Sequence, residues 1–466
     1  MKSEKNKEEI YSLKTAFGYG IGQFSDTIAL QMFVFFIFTF YYAVVGISVN
    51  LITIGYIIWS IWNSINDPLL GALSDRTNTK WGRRTPYIMV SVIPLCIIMV
   101  LLWTPPLDSE MNSFLYFIIV IILFDFTYTM YDLNYASLFP EMFQDLENRA
   151  KANSVKQLFT IFGLLFTFIL PTLIIPRLDS RQYYPLWGSV GLLMSVVIGI
   201  GALILIKFGL KERKEFSQDY RSAPPLLRSL KYSLKNKSFR YFIVSNLAYW
   251  YVIGMLSTIV PLYGIFVLGI GEDSILLGLL LGAAFVSAAG FILFWQGIAR
   301  KLGMKKGIML SMIIYIIVLI PFMFISDVPS GFVAFIFVGI GIAGGLLFGD
   351  ILLGAVIDED EIETGTRREG GYYGINALIT KLSTILVILS INLIFNSVGW
   401  TYFDPKGTTE ATILGLRLLV FLFPTIALSI GILSISRFPI HQARYEEIKT
   451  QIAALHKKKR QQQHVE

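Results

Sequence analysis

Charge is scarce in this chain of 466 residues: 15% are Asp, Glu, Lys or Arg, against about 25% in a soluble globular domain. A water-soluble enzyme of this length would need far more polar surface, so that class is excluded. A disordered chain is excluded too, because it needs little apolar content and a high charge density. Cys96 is the single cysteine, which rules out an intrachain disulfide and a secreted disulfide scaffold. The three histidines, His441, His456 and His464, all lie in the C-terminal tail. That argues against a His-ligated metal or a His-based triad in the apolar body. No phosphate-binding glycine loop of the GxxxxGK[ST] type and no HExxH pair occurs, so neither ATP hydrolysis nor zinc catalysis is expected within the chain. What is abundant is apolar: 55% of residues are hydrophobic, and the 36 phenylalanines outnumber the 32 acidic residues. This composition indicates a polytopic membrane protein, not an enzyme, with no cofactor.

Crossing about 30 Å of hydrocarbon takes roughly 20 residues of helix. Residues 27–66 contain no charge. They are too many for one helix, and Gly46–Asn50 reads as a turn between two. Further uncharged runs are 85–107, 157–176, 182–206, 241–271, 274–299, 307–326, 328–349, 382–403 and 418–436. The segment 112–139 is apolar but carries Asp125 and Asp132. The expectation is an all-α membrane protein of 12 helices. The runs do not alternate in ten-residue segments, as barrel strands would. The polar start, Met1–Lys14, is not expected to be a cleavable signal peptide. On the side that holds both termini the loops carry 34 Lys and Arg, against 3 on the other, so both termini are expected in the cytoplasm. The basic balance is a topology signal, and no nucleic-acid partner is expected. The longest polar segment, about 211–240, falls between the sixth and seventh spans. The expected organisation is an N-terminal six-helix half (1–210), a central cytoplasmic loop (211–240), a C-terminal six-helix half (241–436) and a basic cytoplasmic tail (437–466). Two such halves around a midplane site are a common transporter design.

Loops in matching places of the halves support a repeat. Gly71–Tyr87 follows the second span and Gly297–Gly307 the eighth. Pro140–Lys151 follows the fourth and Asp358–Gly371 the tenth. Their acidic and basic residues suggest ion pairs between helix ends that gate the cytoplasmic side, with solvated loop charges as the plainer alternative. The motif Asn66-Asp67-Pro68, Gly71, Ser74-Asp75-Arg76-Thr77 and Lys80-Trp81-Gly82-Arg83-Arg84 resembles that of the glycoside–pentoside–hexuronide:cation symporters, the melibiose-permease-like branch of the major facilitator superfamily. Pro140-Glu141 with Arg149, Asp358–Arg368 with Thr364-Gly365-Thr366-Arg367-Arg368-Glu369-Gly370, and Lys381 agree with it. The resemblance runs over nearly the whole chain. It implies the major facilitator fold and cation-driven transport of a solute by alternating access. The family comprises sugar symporters and a eukaryotic lysolipid-transporting branch. Asp75, Arg76, Arg83, Arg84, Glu141, Arg149, Asp358 and Arg367 are the gating candidates.

A charge at the middle of a spanning helix costs about 2.5–3.5 kcal/mol on insertion scales, so each calls for a reason. The candidates are Asp26, Asp67, Asp125, Asp132, Asp350 and Lys381. Asn63 and Asp67 are four apart and share a helix face. The resemblance implies that this face holds the coupling cation, with Thr129 in its shell. Sodium-using members carry two acids there, and Asn63 stands in place of one. A lone buried carboxylate takes a proton readily, so H⁺ is expected over Na⁺, with Asp67 as the position for any Na⁺. Thr129 and Asp132 are three apart on one face. By resemblance Asp132 accepts sugar hydroxyls, and Asp26 and Gln157 fall at substrate positions, Gln157 replacing an Arg. Lys381 is expected to link cation and substrate sites from the C-terminal half. Ala136 stands where the pattern has an aromatic ring. Tyr128, Tyr131, Tyr135, Trp59, Trp62, Tyr249 and Trp250 are alternative stacking surfaces or ordinary packing.

The leading expectation is a symporter of a sugar or glycoside-like solute in a plasma or cell inner membrane, working as a monomer. Its partners are that solute (a glycoside, pentoside or uronide), a coupling cation and the lipid bilayer. The alternatives are a lysolipid or amphiphile symporter and a sensor that kept a transporter scaffold.

Overall fold

The computed structural model describes residues 13–75, 77, 79–143, 146–212, 226–271, 274–365 and 368–463. Among the described residues regular structure is helical, apart from one bridge between Thr79 and Gly82. Nine helices there are long and apolar enough to cross a membrane. The twelve-span expectation also takes in Val49–Asp75, the shorter Thr85–Leu101 and a second limb of Ile275–Leu319, which is broken at Gly303 with φ 77°.

The chain divides into two compact units. The first contains α1 (Leu13–Thr39), α2 (Val49–Asp75), α3 (Thr85–Leu101), α4 (Glu110–Met142), α5 (Leu146–Ile174) and α6 (Tyr184–Ile204). It also takes in the segments Ile270–Gly282 and Phe395–Thr408. α1 ends in a wider π turn, Phe40–Val45, and Gly46 reverses the chain at φ 91°. This is the turn the charge-free run required, because a side chain at that φ is strained. Within the unit α1 packs on α5 and α6, α4 on α2 and α3, and α3 on α6. α1 approaches the turn after α6 at Gly18 and Gly209. A Cβ on Gly18 would lie 2.9 Å from the Gly209 backbone, and one on Gly209 2.6 Å from that of Gly18. Ser274 donates to the Thr172 carbonyl at 2.8 Å, and Val49 N–H donates to the Thr401 carbonyl at 2.9 Å. These bonds anchor the two added segments.

The helix faces follow membrane logic. Ile54, Ile58, Ile61, Ile65, Leu69 and Leu73 are exposed along α2, at helical spacing. Asn63 and Asn66 lie on another face of the same helix and are buried. In hydrocarbon the apolar stripe costs nothing exposed, whereas amides need partners inside the bundle.

The second unit contains α7 (Leu226–Lys235), α8 (Lys237–Phe266), most of α9 (Ile275–Leu319), α10 (Val328–Thr364), most of α11 (Glu369–Ser397), α12 (Glu410–Val420), α13 (Leu422–Ser436) and α14 (Gln442–Gln463). α8 packs on α10, α12 and α13, and α14 packs on α10. The central polar segment and the basic tail thus each contribute a helix. α5 and α10 run well past their uncharged stretches, because charged residues with good helix propensity continue a helix beyond the hydrocarbon, and α11 begins at Glu369, well before residue 382.

Candidate functional site

The polar groups of the first unit gather between α2 and α4. Asn63 and Asp67 lie one helical turn apart on α2, and Asp125 and Thr129 one turn apart on α4. Both inter-helix pairs have the same sequence offset, so they form successive rungs about 5–6 Å apart. Thr129 Oγ1 donates to Asp67 Oδ1 at 3.1 Å. The Asn63 amide Nδ2 donates to Asp125 Oδ1. Asn66 Nδ2 donates to Asp125 Oδ2 at 3.0 Å and to the Asp125 carbonyl at 3.2 Å. Asn63, Asn66, Asp125 and Thr129 are buried, and Asp67 is half-buried. Pro68 follows Asp67 and lacks the N–H that would bond the Ser64 carbonyl, so one backbone hydrogen bond is missing beside the carboxylate while the helix continues to Asp75.

The expected grouping of Asp67 with Thr129 is present, and Asn63 sits on the same face. The sequence marks Asp125 as a charge inside a span but gives it no part in this group. Its place beside Asn63 is set by the packing of α4 on α2. The matching offset, 63 with 125 and 67 with 129, is the signal that could have found it. The charge count of the α2 face is one carboxylate, whereas the α2–α4 pair brings two.

A second cluster joins α1, α4 and α5. Asp26 is buried and accepts a hydrogen bond from Gln23 at 2.9 Å. It lies within electrostatic reach of Asp132 and Lys156. Tyr128 interacts with both carboxylates and stacks on Phe124, the rings 5.6 Å apart. Lys156 also lies over the Phe139 ring at 5.4 Å. Gln157, its neighbour, is exposed, so Lys156 supplies the cationic group from α5 in this cluster.

Of the aromatic candidates, Tyr131 and Tyr135 are fully buried pins between α1 and α4. The Tyr19 hydroxyl donates to the Tyr135 carbonyl at 2.6 Å, Tyr135 returns the bond to Tyr19 at 2.7 Å, and Tyr131 donates to Gly22. Trp59 packs on Phe33 and Tyr56, and Trp62 lies near Phe126. In the second unit the buried Tyr249 hydroxyl accepts the Gly345 N–H at 2.6 Å, while Trp250 is exposed. Tyr128 is the half-buried ring next to acidic groups. Lys381 lies half-buried on α11, in the second unit. That helix also meets α8 through neutral groups: Asn246 Nδ2 donates to Asn376 at 2.8 Å, and Tyr251 and Ser390 share a bond of 2.8 Å.

Among the gating candidates, Arg76 and Arg367 lie outside the described residues, as do the side chains of Asp75, Glu141 and Arg149. Arg83 is buried. The N–H groups of Arg83, Arg84 and Thr85 converge on the Glu212 carboxylate at 2.7–3.2 Å, and Thr85 Oγ1 adds a bond at 3.0 Å. Glu212 thus caps the start of α3, where free N–H groups and the helix dipole favour an anion. Sequence reasoning missed it, because nothing local ties Glu212 to a loop 128 positions away. In the second unit Asp358 is half-buried, and the ion pair nearby is formed by Asp360 and Arg368. Tyr372 donates to Asp360 at 2.8 Å, and Arg368 lies 4.0 Å over the Tyr232 ring. The Asp360 carboxylate accepts hydrogen bonds from Arg368 and holds that guanidinium's pKa above its ordinary value.

Residues 18–442 match the family described as MFS/sugar transport protein. An uncharacterized symporter of Synechocystis sp. is 24% identical, with 97% of this chain and 98% of the relative aligned. The isoprimeverose transporter of Lactiplantibacillus pentosus is 23% identical over 76% of this chain and 74% of its own. A glucuronide carrier protein homolog of Escherichia coli is 22% identical over 97% of each. Among solved structures, the nucleoside transporter NupG aligns with a TM-score of 0.66 at 15% identity, covering 91% of this chain and 99% of its own. A D-xylose–proton symporter aligns at 0.62 and 14%, covering 93% and 98%. The fold is therefore that of the major facilitator transporters, and the chain belongs to the MFS/sugar transport family, in its glycoside–pentoside–hexuronide:cation symporter branch, as a multi-pass membrane transporter.

Proposed function

We propose that the protein carries a sugar or glycoside-like solute together with a cation by alternating access, through twelve spans with both termini cytoplasmic. The observation that carries this reading is the Asp67–Thr129 rung between the spanning helices α2 and α4. A carboxylate placed there at the cost of membrane insertion calls for a positive partner that comes and goes. Asp67 is the coupling group, with Asn63 and Thr129 beside it. Asp132 and Asp26 accept solute hydroxyls, because a carboxylate offers several acceptor positions to donors on adjacent carbons. Gln157 and Lys381 complete the solute contacts, and Lys381 couples them to the cation. The names of the isoprimeverose and glucuronide relatives support a glycoside, pentoside or uronide as solute. The proton is the favoured coupling ion, on the single carboxylate of the α2 face. The second reading, Na⁺, is favoured by one observation, the Asp125 carboxylate that α4 sets against Asn63. The cytoplasmic-end residues Asp75, Arg76, Arg83, Arg84, Glu141, Arg149, Asp358 and Arg367 gate the path.

The test is uptake by the purified protein in sealed vesicles, across a panel of glycosides, pentosides, uronides and lysolipids. An imposed pH gradient should drive accumulation of at least one sugar, with Na⁺ replaced by choline. Accumulation of lysolipid alone selects the amphiphile reading. Saturable binding of a sugar with no uptake under any gradient selects the sensor.

A further inference from the structure

The short helix α7, in the central polar segment, turns its sides the opposite way to a helix packed for water. By helical spacing Leu226, Leu227, Leu230 and Leu234 share one face, Arg228, Lys231 and Lys235 lie beside them, and Ser229, Tyr232 and Ser233 make up the third side. The serine and tyrosine side is the one packed on the protein. Ser233 is buried and Tyr232 half-buried. The Tyr232 ring lies 5.7 Å from that of Tyr372 and 4.0 Å from the guanidinium of Arg368, which is paired with Asp360. Lys231, Leu234 and Lys235 are exposed. A helix in water buries its leucines and exposes its serines, because burial of apolar surface is what stabilises the packing. At Leu234 the leucine side faces outward instead.

The position of α7 says what that side meets. Only Asn236 separates it from α8, an apolar helix long enough to cross a membrane, and one residue advances the chain by about 3.8 Å. The corner is pinned. Asn236 N–H donates to the Tyr232 and Ser233 carbonyls at 3.2 Å, and the Asn236 side chain accepts the Phe239 N–H at 2.8 Å. α7 is therefore held where α8 leaves the bilayer. Residues 220–240 hold six Lys and Arg and no Asp or Glu, so the complementary surface is anionic. The positive charge bias of cytoplasmic loops accounts for basic residues, but not for leucines at helical spacing beside them. An acidic protein partner would engage the lysines and leave the leucines unused. An anionic lipid surface engages both: the leucines enter the interface while the lysine stems reach up to the headgroups.

We propose that α7 is a docking surface for anionic phospholipid of the cytoplasmic leaflet, with its leucine side in the interface and Lys231 and Lys235 on the headgroups. This rests on the reading that both termini, and with them this connection, are cytoplasmic. The side of α7 that carries Tyr232 joins the docked helix to the Asp360–Arg368 pair between α10 and α11. The lipid surface thereby holds that end of the second unit from outside.

The experiment places a fluorophore on Leu234→Cys in full-length protein that also carries Cys96→Ser, so that one thiol is labelled. The protein is held in lipid nanodiscs of phosphatidylcholine alone or mixed with phosphatidylglycerol. A nitroxide lipid reports contact with the bilayer, and acrylamide reports contact with water. With phosphatidylglycerol the nitroxide lipid should quench the label several-fold more than in phosphatidylcholine alone, and acrylamide correspondingly less. A label on Gln451→Cys, exposed on α14, should answer to acrylamide in both. Lys231→Glu with Lys235→Glu should return the Leu234→Cys label to the phosphatidylcholine level. High salt, which screens exposed charges, should do the same with both lysines in place, so the result does not hang on the folding of the charge variant. Equal quenching in the two lipids overturns the proposal, as does a phosphatidylglycerol effect that survives both charge reversal and salt. Shielding from both quenchers also overturns it, and makes the chain's own residues 213–225 the cover. Both faces of the disc carry the same lipid and no solute or gradient is present. Failure here therefore leaves the transport reading standing, and absence of uptake leaves the docking surface standing.

Discussion

The two units treat polar groups at mid-helix differently. In the first, α2 and α4 meet through carboxylates: Thr129 on Asp67, and the Asn63 and Asn66 amides on Asp125. In the second, α8 and α11 meet through neutral pairs, Asn246 with Asn376 and Tyr251 with Ser390. The contrast recurs in the loops. Gly82, at φ 108°, rests against the Glu212 carboxylate, which takes three backbone N–H groups. Gly303, at φ 77°, rests against the neutral Gln442 side chain, and the nearby Lys305 donates to the Phe438 carbonyl at 2.7 Å. Glu212 follows the last helix of the first half, and Gln442 the last spanning helix of the second. Neutral pairs hold helices together with no demand on ions. Buried carboxylates hold helices and can also answer to a cation, and on the proposed reading ion recognition falls to the α2–α4 pair of the first unit.

The comparison breaks most completely at Asp67. Asp67→Asn should abolish concentrative uptake while leaving downhill exchange of solute, which a gradient-driven assay and a counterflow assay on the same vesicles would separate. Unchanged accumulation would remove Asp67 as the coupling group. Lys381, the charged exception on α11, comes next. Lys381→Ala should lower active transport at least tenfold and equilibrium solute binding much less. Lys381→Arg should restore only part, since the larger guanidinium does not readily lose its proton. Equal losses in both measurements would make it a plain solute contact.

Smaller effects fall on the loops and the neutral pairs. Glu212→Ala strips the N–H groups at the start of α3 of their acceptor and should destabilise the protein by about 1–3 kcal/mol, read as a lower midpoint in thermal unfolding. Gln442→Ala should cost less than Glu212→Ala, because no backbone N–H group of the Gly303 turn bonds to Gln442 among the described residues. Asn376→Ala should cost about 0.6 kcal/mol, the average for an interhelical hydrogen bond in a membrane, and leave cation dependence unchanged. A shift in cation dependence from Asn376→Ala would show that ion recognition extends into the second unit.

Much of this was legible in the chain itself. A charge-free run of sufficient length must form a helix in hydrocarbon, because every backbone polar group needs an internal partner. Gly46 had to reverse the chain, and Asn63 and Asp67 had to share a face, both for local reasons. The motif around Lys80–Arg84 marked the family. Tertiary structure decided what local rules do not reach. Helix ends ran past the uncharged runs in α5, α10 and α11, since hydrocarbon thickness limits apolar length and not helix length. Tyr131 and Tyr135 became pins to α1, and Lys156 rather than Gln157 became the α5 cation beside Asp26 and Asp132. Glu212 found its nest across more than a hundred residues, and Asp125 met Asn63 through the packing of α4 on α2. A hydrogen bond between helices depends on their register, and register is set by the whole packed surface.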